Sequence, residues 1–291
     1  MYTVLNVTGG SPHSGNMGHI IDNFEVACRL AHKYQFEGIN IDLHPENPIS
    51  LTDIKGLLTH NNLIPASAAC SLKLTDDISD KDFKESLKIF EKDAEAMNFI
   101  GCNTFTYNLA PFGEHLGYYD YFRLMVQRLK KVKSILADHN VKLAIEFVGP
   151  TTRRHNAPHD FIHTMDGVRS LIAAAELEGL AGFVIDAYQW TTSGAGILDI
   201  MQLEIDSVLY VELSDGESRF DIFTMPEFSR ALPLNTGSVN AEGLIEELSR
   251  KHYQGPICIE PWNDKISKMD PDEAIKIIKA SLDDCMRIAL L

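Results

Sequence analysis

A chain of 291 residues, 45% of them hydrophobic, can build one large core or two ordinary ones. Its formal net charge of −15 argues against a partner held mainly by phosphate neutralisation, such as duplex DNA, and no run approaches the roughly 18–20 apolar residues of a membrane span. The five cysteines (Cys28, Cys70, Cys102, Cys258, Cys285) include no Cys-x-x-Cys pair, so neither a disulfide framework nor a structural zinc site is expected. The N-terminal Met-Tyr-Thr-Val-Leu-Asn-Val lacks the basic start and apolar stretch of a signal peptide, and a cytoplasmic location is the expectation.

Strand and helix signals alternate along the whole chain. Residues 2–7 read as a strand, and a helix follows with Phe24, Ala27, Leu30, Ala31 and Tyr34 on one face. Residues 38–43 are a second strand, 51–60 a helix, 64–70 a third strand and 81–97 a long amphipathic helix. A fourth strand over 104–109 precedes a helix over 119–139, where Phe122, Met125, Leu129, Val132, Ile135 and Leu136 keep the helical period. The fifth strand ends at Lys-Leu-Ala-Ile-Glu-Phe-Val and is followed by a helix over 164–177. Then come a strand at 182–188, a short helix at 197–203, a strand at 208–213, an irregular stretch at 216–240, a helix at 241–252, an eighth strand at 257–260 and a closing helix at 271–290. Eight strands each followed by a helix predict an α/β chain of the (β/α)8 barrel class, with residues 1–291 as one domain. No Gly-x-Gly-x-x-Gly follows a strand, so an open dinucleotide-binding sheet is not expected.

The last four strands share a feature. Each ends in an acid directly after a β-branched residue: Ile145-Glu146, Ile185-Asp186, Val211-Glu212 and Ile259-Glu260. Strands buried on both faces cannot carry unpaired carboxylates cheaply. In a (β/α)8 barrel these positions converge on the C-terminal face, where a divalent cation is the expected counter-charge. Mg²⁺ and Mn²⁺ favour oxygen ligands, whereas Zn²⁺, which remains open, more often takes histidine or cysteine. The competing reading pairs each acid with a nearby base such as Lys142, Arg154 or Arg230. Arg154 and Arg230 are also candidates for holding substrate oxygens, since a guanidinium presents a rigid fork of donors. His13, His44 and His115 follow strands one, two and four, Asn108 ends strand four, and Trp190 and Trp262 lie just past strands six and eight. These residues are candidates for the rim of the site.

The segments Ile-Glu-Phe-Val-Gly-Pro-Thr-Thr-Arg-Arg (145–154), Val-Ile-Asp-Ala-Tyr-Gln-Trp-Thr-Thr-Ser-Gly (184–194) and Tyr-Gln-Gly-Pro-Ile-Cys-Ile-Glu-Pro-Trp (253–262) resemble motifs of the xylose-isomerase-like superfamily of sugar isomerases and epimerases. Arg-Ala-Leu-Pro-Leu-Asn-Thr-Gly (230–237) is similar to that superfamily's Arg-x-Leu-Pro-Gly-Glu-Gly element, and the likeness is carried by residues 140–265. The resemblance implies a metal held by Glu146, Asp186 and Glu260, with Glu212 at the fourth ligand position, and Glu146 and Glu260 also moving protons through an enediolate; Arg154, Arg230, Asn108, His13 and Trp262 are, from their residue types and places near strand ends, the candidates to contact the substrate. It departs at three places. Glu212 stands where the superfamily has histidine, Gln189 where it often has histidine, and the Pro-Gly-Glu-Gly element has lost its first glycine and its acid.

The expected function is a metal-dependent isomerase or epimerase of a sugar, sugar phosphate or polyol. The alternatives are a lyase or dehydratase on a polyol-like substrate, a non-catalytic descendant binding a carbohydrate or protein, and an abasic-site endonuclease. A small-molecule partner is expected and nucleic acid and membrane are not; self-association through helical faces is left open.

Overall fold

In the computed structural model, residues 1–6, 21, 23–44, 49–227 and 230–290 are described. Eight parallel strands close into a barrel: β1 (Tyr2–Leu5), β2 (Gly38–Ile41), β3 (Ile64–Ala69), β4 (Thr104–Leu109), β5 (Lys142–Phe147), β6 (Ala181–Asp186), β7 (Val208–Leu213) and β8 (Pro256–Ile259). Each strand pairs with its neighbour in the chain, and β8 returns to β1 through Tyr2 opposite Pro256 and Thr3 opposite Ile257. The expected (β/α)8 architecture is therefore present.

The strands occur where both faces can be buried. Ile145, Ile185 and Val211 belong to the large core between barrel and helices, while Val4, Ala66, Ala144, Val184, Tyr210 and Cys258 form a separate cluster. Side chains alternate across a strand, so this second cluster fills the barrel interior. Adding two residues to Ala144, Val184, Tyr210 and Cys258 arrives at Glu146, Asp186, Glu212 and Glu260. All four acids therefore stand on the inward face, one layer nearer the C-terminal mouth.

The outer layer comprises α1 (Phe24–Lys33), α2 (Leu51–Asn61), α3 (Asp80–Ile100), α4 (Tyr118–Asp138), α5 (Met165–Ala174), α6 (Ala187–Thr192), α7 (Ile197–Gln202), α8 (Ala241–Arg250), α9 (Asp264–Ser267) and α10 (Pro271–Ile288). Side-chain caps mark several starts: Ser50 accepts from Asp53 N, Ser79 from Asp82 N, Thr164 from Gly167 N and Asp270 from Asp272 N. None of the described helices is long and apolar enough to cross a membrane. All five cysteines are free thiols.

Two local features differ from the pattern reading. The sixth strand stops at Asp186, and α6 begins at once, because the Asp186 carboxylate accepts from the backbone N–H groups of Tyr188 and Gln189. A two-stranded antiparallel ladder of Phe112–Gly113 with His159–Asp160 lies outside the barrel, too short to leave a periodic signal.

Candidate functional site

The four acids come together. Glu146, Asp186, Glu212 and Glu260 are all buried, and each offers a carboxylate oxygen within 4.8 Å of the others. Register explains the convergence, since Asp186 lies opposite Glu212, and Glu212 opposite Cys258, one inward layer below Glu260. Ligands on opposite sides of a hard divalent cation lie about 4.2 Å apart for Mg²⁺ and about 5 Å apart for Ca²⁺. The spacing of the four oxygens thus suits such an ion, and their chemistry, all oxygen with no nitrogen or sulfur, suits it equally. Glu212 Oε2 adds an independent sign: it is buried with no hydrogen-bond partner among the described residues.

Arg230 enters the cluster from the loop after β7. Its Nη1 donates to Asp186 Oδ2 at 2.7 Å and to Glu260 Oε2 at 2.5 Å, and the side chain is 0% exposed. The guanidinium lies 4.6 Å from the centroid of the Tyr188 ring and 5.0 Å from that of Trp262. Four ionised carboxylates against one guanidinium leave three negative charges, and a divalent ion would reduce the excess to one.

Protonation follows from that excess. Burial pushes Glu146 well above the carboxylate range, with Glu260 and Asp186 adding to it. Burial does the same to Glu212, reinforced by Glu260 and Glu146. Glu260 is pushed up to about 8, because burial and Asp186 outweigh the opposing pull of Arg230. Burial works against the charge on Arg230, but Asp186, Glu260 and Glu227 prevail and hold it protonated. A carboxyl raised in the folded state holds its proton more tightly than in the unfolded chain, so the associated stability is present below the ordinary value and is lost as pH rises through about 8. The metal-free protein should therefore lose thermal stability between pH 5.5 and pH 8.5, and saturating Mn²⁺ should remove most of the loss. A flat or rising metal-free profile over this window would contradict the buried-carboxyl account.

A second layer rests on Gln189. Its Oε1 accepts from Gly149 N at 3.0 Å and its Nε2 donates to Glu227 Oε1 at 3.1 Å. A Cβ on Gly149 would come within 2.2 Å of Gln189 O, so only glycine permits this approach. Buried Glu227 also pairs with Arg153 at 3.0 Å and lies 3.9 Å from Arg230 Nη2. Asp215, in the segment after β7, accepts from the backbone N–H groups of Thr236, Gly237 and Val239 and so shapes the loop that carries Arg230.

The other candidates are placed differently. Arg154 is half-buried and donates from Nη1 to Gly149 O at 2.7 Å. Asn108 is exposed and in register with Glu146. Trp262 is buried beneath Arg230, and Trp190 is packed in the core around α6. His44 lies 3.0 Å from Asp93, and the backbone N–H of His115 donates to Asp76. His13 lies outside the described residues. Pattern reading missed Glu227, which sits in the irregular stretch with no periodicity to flag it, and Tyr188, which it counted as strand.

A family model described as xylose isomerase-like TIM barrel matches residues 28–285. Among solved structures, a xylose isomerase domain protein from Alicyclobacillus acidocaldarius subsp. acidocaldarius superposes with a TM-score of 0.83 at 19% identity, covering 100% of both chains. An IOLI protein with a bound zinc atom gives 0.81 at 17% identity over 98% of each chain. D-psicose 3-epimerase, determined in the presence of D-fructose, gives 0.75 at 14% identity over 99% of each. At these identities the likeness to solved structures is one of fold. No curated protein matches the sequence.

Proposed function

We propose that this chain, which belongs to the xylose isomerase-like TIM barrel family, is a divalent-metal-dependent isomerase or epimerase of a sugar or related polyol. The observation that carries the reading is the buried cage of four strand-end carboxylates, with Glu212 Oε2 unpartnered within it. An epimerase among the solved structures of the same fold supports the substrate class.

Glu146, Asp186, Glu212 and Glu260 would hold the metal, Mn²⁺ or Mg²⁺ on the strength of the all-oxygen set. Bound there, the ion would supply Lewis-acid stabilisation of negative charge developing on the substrate oxygens. Glu146 and Glu260 are the proposed proton-transfer pair. Burial raises both carboxyls, which makes each a stronger base once ionised and suits it to taking a proton from the carbon beside a carbonyl and returning it, a route that leads through an enediolate. Return to the same carbon from the other face is epimerisation, and return to the neighbouring carbon is isomerisation. Asp186 holds the start of α6 and Arg230 at once, which fixes the geometry of its side of the cage. Arg154 and Asn108, half-buried and exposed, are the proposed substrate contacts, whereas Arg230, fully buried on Asp186 and Glu260, and Trp262 against it would act on the acids. The same reading takes residues 1–291 as one cytoplasmic barrel domain.

Incubating Mn²⁺-loaded protein with ketoses, aldoses and inositol derivatives in deuterium oxide tests the reaction. A new epimer or isomer carrying deuterium at a carbon beside the carbonyl is the expected result. No deuterium uptake in any substrate together with no Mn²⁺ binding would favour a non-catalytic carbohydrate- or partner-binding descendant, whose acids the Arg230 ion pairs would neutralise. The ligand set is testable separately by calorimetry. Glu212→Ala should weaken Mn²⁺ binding by about tenfold or more, equivalent to about 1.4 kcal/mol. Glu212→His should keep an ion and move preference towards Zn²⁺. Unchanged affinity in both variants would remove Glu212 from the site.

A further inference from the structure

Arg230 is held more firmly than a flexible charge-neutralising group would be. Its backbone N–H donates to Trp262 O at 3.1 Å, its carbonyl accepts from Asn263 Nδ2 at 2.7 Å, and Ala231 pairs with Asp215 in an isolated β-bridge. The guanidinium faces Tyr188 and Trp262, and the Tyr188 hydroxyl is itself fastened to Pro226 O at 2.9 Å. Its Nε and Nη2 make no hydrogen bond among the described residues, so charge and ring contacts hold the group in place. A fixed cation therefore already occupies the Asp186 and Glu260 side of the cage, through a single shared nitrogen, while Glu212 Oε2 is left without a partner.

We propose that Arg230 is a built-in counter-cation that competes with a divalent ion for Asp186 and Glu260, holding the cage together when no ion is bound and limiting affinity when one arrives. Two cations serving the same pair of carboxylates repel across a few ångströms of buried, weakly screened interior. Removing either partner of a buried ion pair leaves the other uncompensated, so the cage needs a cation of some kind in both states. Arginine suits this role better than lysine, since its planar group stacks on two rings while one edge reaches the carboxylates. The inference rests on the proposed metal site for the identity of the competing ion.

The test compares wild type, Arg230→Gln and Arg230→Lys in EDTA and in saturating MnCl₂, reading thermal midpoints and Mn²⁺ affinity. Arg230→Gln should be less stable than wild type in EDTA, gain more from Mn²⁺ than wild type does, and bind the ion about tenfold or more tightly. Arg230→Lys, which keeps the charge, should stay within about threefold of wild-type affinity. A wild type indifferent to Mn²⁺ beside an Arg230→Gln variant that binds it would support the competition and sink the resident-metal reading. A Mn²⁺ response in Arg230→Gln no larger than that of wild type overturns the competition and leaves the metal reading standing; no response in either protein overturns both. If Arg230→Gln does not fold in EDTA, refolding with MnCl₂ present decides. Recovery only with the ion supports the proposal, and failure in both conditions overturns it.

Discussion

Asp186→Ala should lower the unfolding free energy of the metal-free protein by about 2–4 kcal/mol at pH 7. Two losses add. The N-cap bonds to Tyr188 and Gln189 contribute about 1 kcal/mol, and the charge-assisted bond from Arg230 about 1.5–3 kcal/mol. Relief of repulsion among the acids works the other way, but burial raises Glu146, Glu212 and Glu260 and so disfavours full charge on all of them at once, which limits the relief. Asp186→Asn separates the contributions, because asparagine can still cap α6 while losing the ion pair, and its cost should fall between wild type and alanine. Urea denaturation with a shared slope measures all three proteins. An Asp186→Ala midpoint equal to that of wild type would mean that Asp186 does not anchor this side of the cage.

Glu146→Gln should behave in the opposite way. As a member of the proposed proton-transfer pair, its replacement by the isosteric amide should reduce turnover by about 10²–10⁴-fold, measured at saturating Mn²⁺. Stability should not fall, since burial and the neighbouring Glu260 and Asp186 already disfavour a charge at this position. Activity lost without stability lost is the signature of a group kept for chemistry at the expense of folding. Turnover within a few-fold of wild type would remove Glu146 from the proton-transfer role, and a large drop in urea midpoint would recast it as structural.

Both predictions concern residues visible from the chain alone, and that visibility has a local cause. A β-branched residue followed by an acid at the end of an apolar run is a feature of five or six consecutive residues, as is the 3.6-residue period of α4 or the serine before α2. Such signals survive without tertiary context because backbone geometry and the alternation of strand faces generate them. Strand order was legible for the same reason, since the alternation of strand and helix leaves few right-handed arrangements open. Boundaries were less so. Residues 187 and 188 continued the apolar run of β6, and only the Asp186 side chain, turned back onto the N–H groups of Tyr188 and Gln189, converts them into α6.

The grouping of the site depended on distance in space. Arg230 carries no periodic mark that separates a buried counter-cation from a rim residue; its burial follows from a backbone pinned between Trp262 and Asn263 and from two rings supplied by α6 and the segment after β8. Glu227 gains its place through Gln189 and Arg153, 38 and 74 positions earlier in the chain. The sequence alone thus determined the succession of elements and the inward acids, because both are written in short-range periodicity. The tertiary structure decided which charges meet, because closure of the barrel brings together loops that no local pattern links.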